Sequence, residues 1–361
     1  MKRRTFLTAG TISIASSGLA KPTIAQSAPE MTWRLASAFP KNATTIIGAA
    51  QEMARYVTAV TDGKFRISIV PAGGADAPGN PFDAVTQGQF QCTQAPLYAL
   101  AGKEPTFAIG TGIPFGLNAR HQYAWWLNGG GKQIIAKELE KLNLVPLVVG
   151  NSGTQMGGWF RKEIQSVDDL KGLKFRIGGM GGDILEKLGV VKMATPLPEV
   201  RKALENGTLD AVEFVGPLDD EKLGVYTVAK NYYCPGWWEG GAMLHLLINR
   251  NAWNDLPANY QAALEAAGEV AHNWMLAQYD WNNPAALKRL VAQGVVVRSF
   301  PKPVIDACWN ATQDYYAALS ANNPLFKSTF ESYTAYRTEA LSYWRVAEQA
   351  YDTMLLDLTR S

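Results

Sequence analysis

Four polar side chains stand alone among apolar neighbours between residues 151 and 241: Gln155, Arg176, Glu213 and Glu239. In Leu173-Lys-Phe-Arg-Ile-Gly178 the apolar residues 173, 175 and 177 share one strand face, and Arg176 lies on the other, just before a glycine pair. An arginine in that place offers a planar fork that grips a carboxylate through two parallel hydrogen bonds. The alternative is an arginine that merely caps the surface. Glu213 follows Leu209-Asp-Ala-Val and precedes Phe-Val-Gly-Pro217, and Glu239 lies between Pro235-Gly-Trp-Trp and Gly-Gly241. Carboxylates so enclosed by apolar groups are costly unless they are paired or bind a cation. Hard cations prefer such oxygens, with amide and backbone carbonyls completing the shell. Gln155 can supply the amide oxygen. Two readings compete: a glycosidase acid/base pair, for which the surroundings offer too few Asp, Asn and His, and plain exposure of either glutamate.

Other candidate motifs carry less. Gly178-Gly-Met-Gly-Gly182 precedes a helix but lacks a Walker lysine and the dinucleotide spacing, so it reads as a tight turn. Gly150-Asn-Ser-Gly-Thr154 misses the nucleophile elbow by its final residue. His121, His245 and His272 are scattered, which weakens triads and zinc sites. Cys92, Cys234 and Cys308 are widely spaced and read as free thiols.

The elements that must carry these groups begin at Trp33. Trp33–Phe39 alternates as a first strand. Thr45–Thr61 is an amphipathic helix, with Ile46, Ala50, Met53, Val57 and Val60 on one face. Phe65–Val70 is a second strand, so the chain opens as a right-handed parallel β-α-β unit. The Gly/Pro-rich loop 71–81 follows at the carboxyl end of that strand, where open α/β sheets bind ligands. A strand and turn over 91–98 bring Tyr98 to the same edge. Leu127–Leu142 reads as a helix and Leu144–Val149 as the strand that leads to Gln155. A second βαβ lobe follows, with a strand over Leu209–Val215. Met243–Ile248 returns to the first lobe, and Val295–Phe300 is a later strand. From Leu325 to Ser361 there is no Gly or Pro, and the aromatic face predicts a helix from Thr329 to Leu358, on the order of 45 Å long. Such a helix docks across both lobes or on a second subunit, unless it breaks into two shorter helices.

A chain of 361 residues exceeds one ordinary core. Lys2-Arg-Arg-Thr-Phe-Leu7, a modest apolar segment and Thr23-Ile-Ala25 read as a twin-arginine-like signal peptide. It places the mature protein outside the cytoplasm. Residues 1–25 hold Lys2, Arg3, Arg4 and Lys21 and no acid, so their removal turns a net charge of +2 into −2. That argues against nucleic acid as a partner.

Asp169-Leu-Lys-Gly-Leu-Lys-Phe-Arg-Ile177 and Glu199-Val-Arg-Lys-Ala-Leu-Glu-Asn-Gly-Thr-Leu-Asp-Ala-Val-Glu213 resemble the motifs of the solute-binding subunit of tripartite ATP-independent periplasmic (TRAP) transporters, the DctP type. Gln155-Met-Gly-Gly-Trp-Phe-Arg161, Glu213-Phe-Val-Gly-Pro-Leu-Asp-Asp220 and Pro235-Gly-Trp-Trp-Glu239 resemble the branch that binds 2-oxo monocarboxylates such as pyruvate. The resemblance implies a two-lobed α/β periplasmic binding protein with a hinge, a spanning helix and a long C-terminal helix. Its expected divisions are signal peptide 1–25, lobe I 26–154, lobe II 155–238, a return to lobe I with the spanning helix over 239–324, and the C-terminal helix 325–361. It implies that Arg176 takes the carboxylate, with Tyr98, Gln155 and Asn42 as further substrate residues. Gln155, Glu213, the Phe214 backbone carbonyl and Glu239 would hold a metal cation that also touches the substrate. The implied partners are a membrane permease and a second copy that exchanges the C-terminal helix, and the implied place is the periplasm. The family often has Trp where Phe214 stands.

Relatives suggest Na⁺. The charge of substrate, arginine and two glutamates sums to −2, which Ca²⁺ would neutralise. Two alternatives stay open: an exported carboxylate-processing enzyme using Glu213 and Glu239, and a dicarboxylate receptor, which needs a second cationic clamp.

Overall fold

β1 (Met31–Pro40) buries Trp33 and Leu35, while Thr32 and Arg34 are exposed on its other face. It pairs in parallel with β2 (Phe65–Ala72) and β3 (Cys92–Pro96). The helix Thr44–Val60 makes the crossover and buries Ile46, Ala50, Met53 and Val57 at its expected spacing. Full burial of Ile46, Met53 or Val57 is worth about 1.5–3 kcal/mol each. β10 (Met243–Asn249) then runs antiparallel between β3 and β4 (Leu144–Asn151), giving the order β2-β1-β3-β10-β4. The computed structural model describes residues 29–359. The signal peptide expected over 1–25, with the cleavage expected near Ala25, lies outside the described residues.

A second sheet has the order β11-β9-β5-β8-β6-β7. Its strands are short: β5 (Gly158–Phe160), β6 (Lys174–Arg176), β7 (Val191–Met193), β8 (Ala211–Val212), β9 (Asn231–Cys234) and β11 (Val296–Ser299). β11 pairs with β9. This late strand therefore lies in the second sheet, although the stretch over 239–324 is expected with the first lobe.

The helix Ala258–Ala292 joins the two sheets. Tyr260, Leu264, Ala267, Ala271, Met275 and Tyr279 pack in the core around the first sheet, and Leu290 packs in a core of the second. Its 35 residues span about 50 Å at 1.5 Å each. The helix lies close on β4, since a Cβ at Gly268 would stand 2.6 Å from the Val148 carbonyl oxygen.

Two helical expectations change. The segment expected to be helical from Leu127 is split between the helices Ala119–Asn128 and Gly131–Glu140, because Gly130 turns the backbone at φ +87°. The C-terminal helix is present over Pro324–Val346 but ends at Ala347, and a second helix covers Glu348–Thr359. Arg120 pairs with Glu348, and Trp344 meets His121 edge-on, which fixes this corner against the body of the molecule. Beyond it Tyr351, Met354, Leu355 and Leu356 are exposed.

Candidate functional site

Four segments converge on a cavity of about 230 Å³ between the sheets. Backbone hydrogen bonds stitch them together. Gln155 N–H donates to the Glu239 carbonyl at 3.2 Å, and Gly236 N–H to the Gln155 carbonyl at 2.8 Å. Met156 N–H reaches the Val215 carbonyl at 3.0 Å, and Glu213 N–H the Arg176 carbonyl at 3.0 Å. The mesh brings residues 37 to 84 positions apart along the chain into contact, so the site exists only in the folded protein. Gly158 lets β5 lie flush on this mesh: its φ is +84°, and an added Cβ would stand 2.6 Å from the Val212 carbonyl oxygen.

Arg176 ends β6, half-buried, on the cavity wall. Its Nη1 donates to the Glu213 carbonyl at 2.6 Å, which aims the guanidinium across the cavity. Glu213 is 7% exposed. Burial raises its carboxyl pKa well above the usual range, the negative charge of Glu239 adds to this, and Arg176 opposes it. Glu239 is half-buried on the cavity wall. Burial pushes it up to about 7. Tyr98 lines the same wall, and burial together with the two glutamate charges raises its hydroxyl, so it stays a proton donor. It stands against the start of the helix Gly179–Lys187: an added Cβ on Gly179 would lie 3.6 Å from its ring.

Gln155 is buried. Its Nε2 donates to Ser152 Oγ at 3.2 Å, and that oxygen accepts the Ala242 N–H at 2.9 Å. The amide is thereby oriented with Oε1 left over, buried and without a partner. An unpaired carbonyl oxygen beside two costly carboxylates is a donor set for a hard cation. Among the described residues there is no cluster of three or more His, Cys, Asp or Glu that could hold a metal. The oxygens here are of mixed type: two carboxylates, one amide and the backbone of Phe214, which also lines the cavity.

The remaining wall is apolar, from Phe39, Ile46, Pro96, Leu197, Leu244 and Met275. Asn42 is exposed in the turn before the first helix and is not among the residues lining this cavity. Sequence reasoning missed Ser152, Trp238 and Met275. The first two lie inside phrases already singled out, beside Asn151 and Glu239. Met275 carries no local signal, because only the crossing of the long helix brings it to the cavity.

The family model described as bacterial extracellular solute-binding protein, family 7 (DctP), matches residues 36–323. A monocarboxylate 2-oxoacid-binding periplasmic protein of Nostoc sp. is 40% identical over 358 residues, covering 98% of each chain. A TRAP transporter solute-binding protein from Bordetella bronchiseptica superposes with a TM-score of 0.89 at 44% identity, covering 92% of this chain and 99% of that one. That structure is a mixed-occupancy dimer, with copurified calcium and picolinate in one active site and an apo site. A TRAP periplasmic solute-binding protein from Pseudoalteromonas atlantica, with bound sodium and pyruvate, superposes at 0.85 with 35% identity, covering 89% and 98% of the two chains. With two α/β sheets joined by a spanning helix around one polar cavity, and with these matches over most of its length, the chain belongs to the DctP family of bacterial extracellular solute-binding proteins.

Proposed function

We propose that this protein is the receptor of a TRAP transporter that captures a small 2-oxo or 2-hydroxy monocarboxylate, such as pyruvate, together with one metal cation and delivers it to the membrane permease. The observation that carries this is the convergence of Arg176, the buried Glu213 and Glu239, and the unpartnered Gln155 oxygen on one cavity. In this reading Arg176 pairs with the ligand carboxylate and Tyr98 donates to the ligand. Gln155, Glu213, the Phe214 carbonyl and Glu239 hold the cation. The cation supplies positive charge to the carboxylate and the neighbouring 2-oxo oxygen. The apolar wall then faces the ligand's tail. Arg176 is the cavity's single cationic side chain among its lining residues, which favours a monocarboxylate over a dicarboxylate. As in the rest of its family, the ligand is bound and released, not converted.

A thermal-shift screen tests this, because a ligand that binds only the native state raises its stability. Pyruvate, lactate and picolinate are each added with calcium, with sodium, or with a chelator in sodium-free buffer. Pyruvate is expected to raise Tm by several degrees in the presence of a cation and to have little effect without one. A full shift in the chelated, sodium-free buffer would sink the cation half of the reading.

The reading also includes the periplasm, reached by cleavage near Ala25, and a homodimer. Among the described residues no helix is long and apolar enough to cross a membrane. The support for a dimer is the exposed apolar run on Glu348–Thr359 and the dimeric Bordetella relative. A chain ending at Ala347 is expected to run as a monomer in light scattering while still binding pyruvate. If the shortened chain stayed dimeric, the last helix would not be the dimer contact.

A further inference from the structure

The two aspartates of the helix Pro217–Leu223 are each 1% exposed, and neither lines the cavity. Their carboxylates face opposite ways. Asp220 Oδ2 accepts the Trp159 indole N–H at 3.0 Å and the Tyr232 hydroxyl at 2.8 Å, and its Oδ1 accepts the Val215 N–H at 3.2 Å. Asp219 Oδ2 accepts the Tyr279 hydroxyl at 2.7 Å, and its Oδ1 faces Lys222 Nζ at 3.0 Å and Thr45 Oγ1 at 3.5 Å.

The partners of Asp220 lie on the three segments that bring carboxylate and amide oxygens to the cavity. Val215 is two residues past Glu213. Trp159 is four residues past Gln155, on β5. Tyr232, on β9, begins the run that turns to Glu239. The Trp159 and Tyr232 rings stack with centroids 3.8 Å apart, so the two strands are held by their side chains as well as by their ladder. All three groups that meet Asp220 are donors. An ionised carboxylate accepts from every one of them, whereas an asparagine has one acceptor oxygen and must leave at least one donor unpaired. Besides Lys222 on its own helix, the partners of Asp219 lie instead on the first helix and the spanning helix.

We propose that Asp220 is a positioning residue for the cation. Without touching the cavity, it holds in register the segments bearing Gln155, Glu213 and Glu239. Asp219 anchors the same helix to the first sheet's layer and does not set the donor geometry. This rests on the reading of those three residues as cation donors.

The test is calcium binding by titration calorimetry at about pH 8 on full-length protein stripped with a chelator, with no carboxylate added. Tm in chelator is recorded for each variant. Groups that orient metal ligands typically cost about 10- to 100-fold in metal affinity when changed, so Asp220→Asn is expected to lose calcium affinity by that factor. Asp219→Asn is expected to stay within about threefold of wild type, because it leaves those ligands in place. Tyr232→Phe removes one hydrogen bond to Asp220 and keeps the ring stack. It is expected to fall between the two, and it decides the matter if Asp220→Asn does not fold. A merely structural role would lower Tm in chelator for both aspartate variants and leave calcium affinity alone. Wild-type affinity in Asp220→Asn, or in Tyr232→Phe where that variant decides, would overturn the proposal, as would an equal loss in Asp219→Asn. If calcium and sodium both fail to bind wild type, the cation reading itself falls, an outcome distinct from these.

Discussion

Arg176→Ala is expected to abolish the pyruvate-dependent thermal shift in every cation condition. The guanidinium answers the ligand carboxylate, and its removal leaves that charge facing Glu213 and Glu239 with the cation alone to balance three negative groups. Truncating one member of a buried, hydrogen-bonded charge pair costs about 2–5 kcal/mol, a loss in affinity on the order of 10²-fold or more. A second loss compounds the first. Arg176 Nη1 holds the Glu213 carbonyl at 2.6 Å, so alanine also frees the turn that leads to Phe214. Arg176→Lys separates these effects. It keeps a positive charge but not the planar fork, and weak binding is expected to survive. Titration calorimetry of pyruvate into calcium-loaded protein reads both variants. Binding retained in Arg176→Ala within tenfold of wild type would remove the carboxylate assignment.

The sequence showed this arginine because strand alternation assigns faces without reference to the rest of the fold. Leu173, Phe175 and Ile177 claim one side, and the odd residue out is polar. β1 and β2 were legible for the same reason, and β4 and β10 as short apolar runs, each found within two residues of its expected ends. Where the answer depends on distant segments, local pattern is silent. Only two residues of the expected strand Leu209–Val215 join the ladder as β8, because Glu213 turns toward the cavity and Val215 N–H is taken by Asp220. β11 reads as a strand, but its choice of sheet depends on the open edge of β9. The tail's uninterrupted polar and aromatic pattern continues through Ala347, yet the helix ends there, close to the pairing of Arg120 with Glu348. Long-range partners of this kind leave no mark at helical spacing.

Burial of carboxyl groups gives the second large effect, an unusual pH dependence in the cation-free protein. Burial raises Glu239 from 4.5 to about 7, and Glu213 moves the same way. A carboxyl whose pKa is higher in the folded state than in the unfolded state favours folding most when it is protonated. That contribution is complete below about 4.5 and is lost as pH rises through about 7. Asp220, raised by burial to about 6, acts in the same direction. The buried His245 and His272 act oppositely, since burial lowers both from 6.5, but above that value they are neutral in either state. Between about pH 6.5 and 8 the carboxyls therefore decide the sign, and Tm in chelator is expected to fall as pH rises. Calcium should reverse the trend. Its binding needs ionised ligands, so apparent affinity rises by up to about tenfold per pH unit for each proton displaced. Glu239→Gln isolates the cause. It removes one titrating group, so the fall in Tm with pH and the rise in calcium affinity should both flatten, while Asp220 and the histidines contribute as before. It also reduces the summed charge of site and monocarboxylate from −2 to −1, which a monovalent ion neutralises. The variant's preference should therefore move from calcium toward sodium. Melting curves in chelator, calcium and sodium across this pH window measure all three effects. A Tm in chelator that rises with pH in wild type would show that these carboxyls are not raised by burial, and an unaltered calcium preference in Glu239→Gln would show that Glu239 is not one of the cation's ligands.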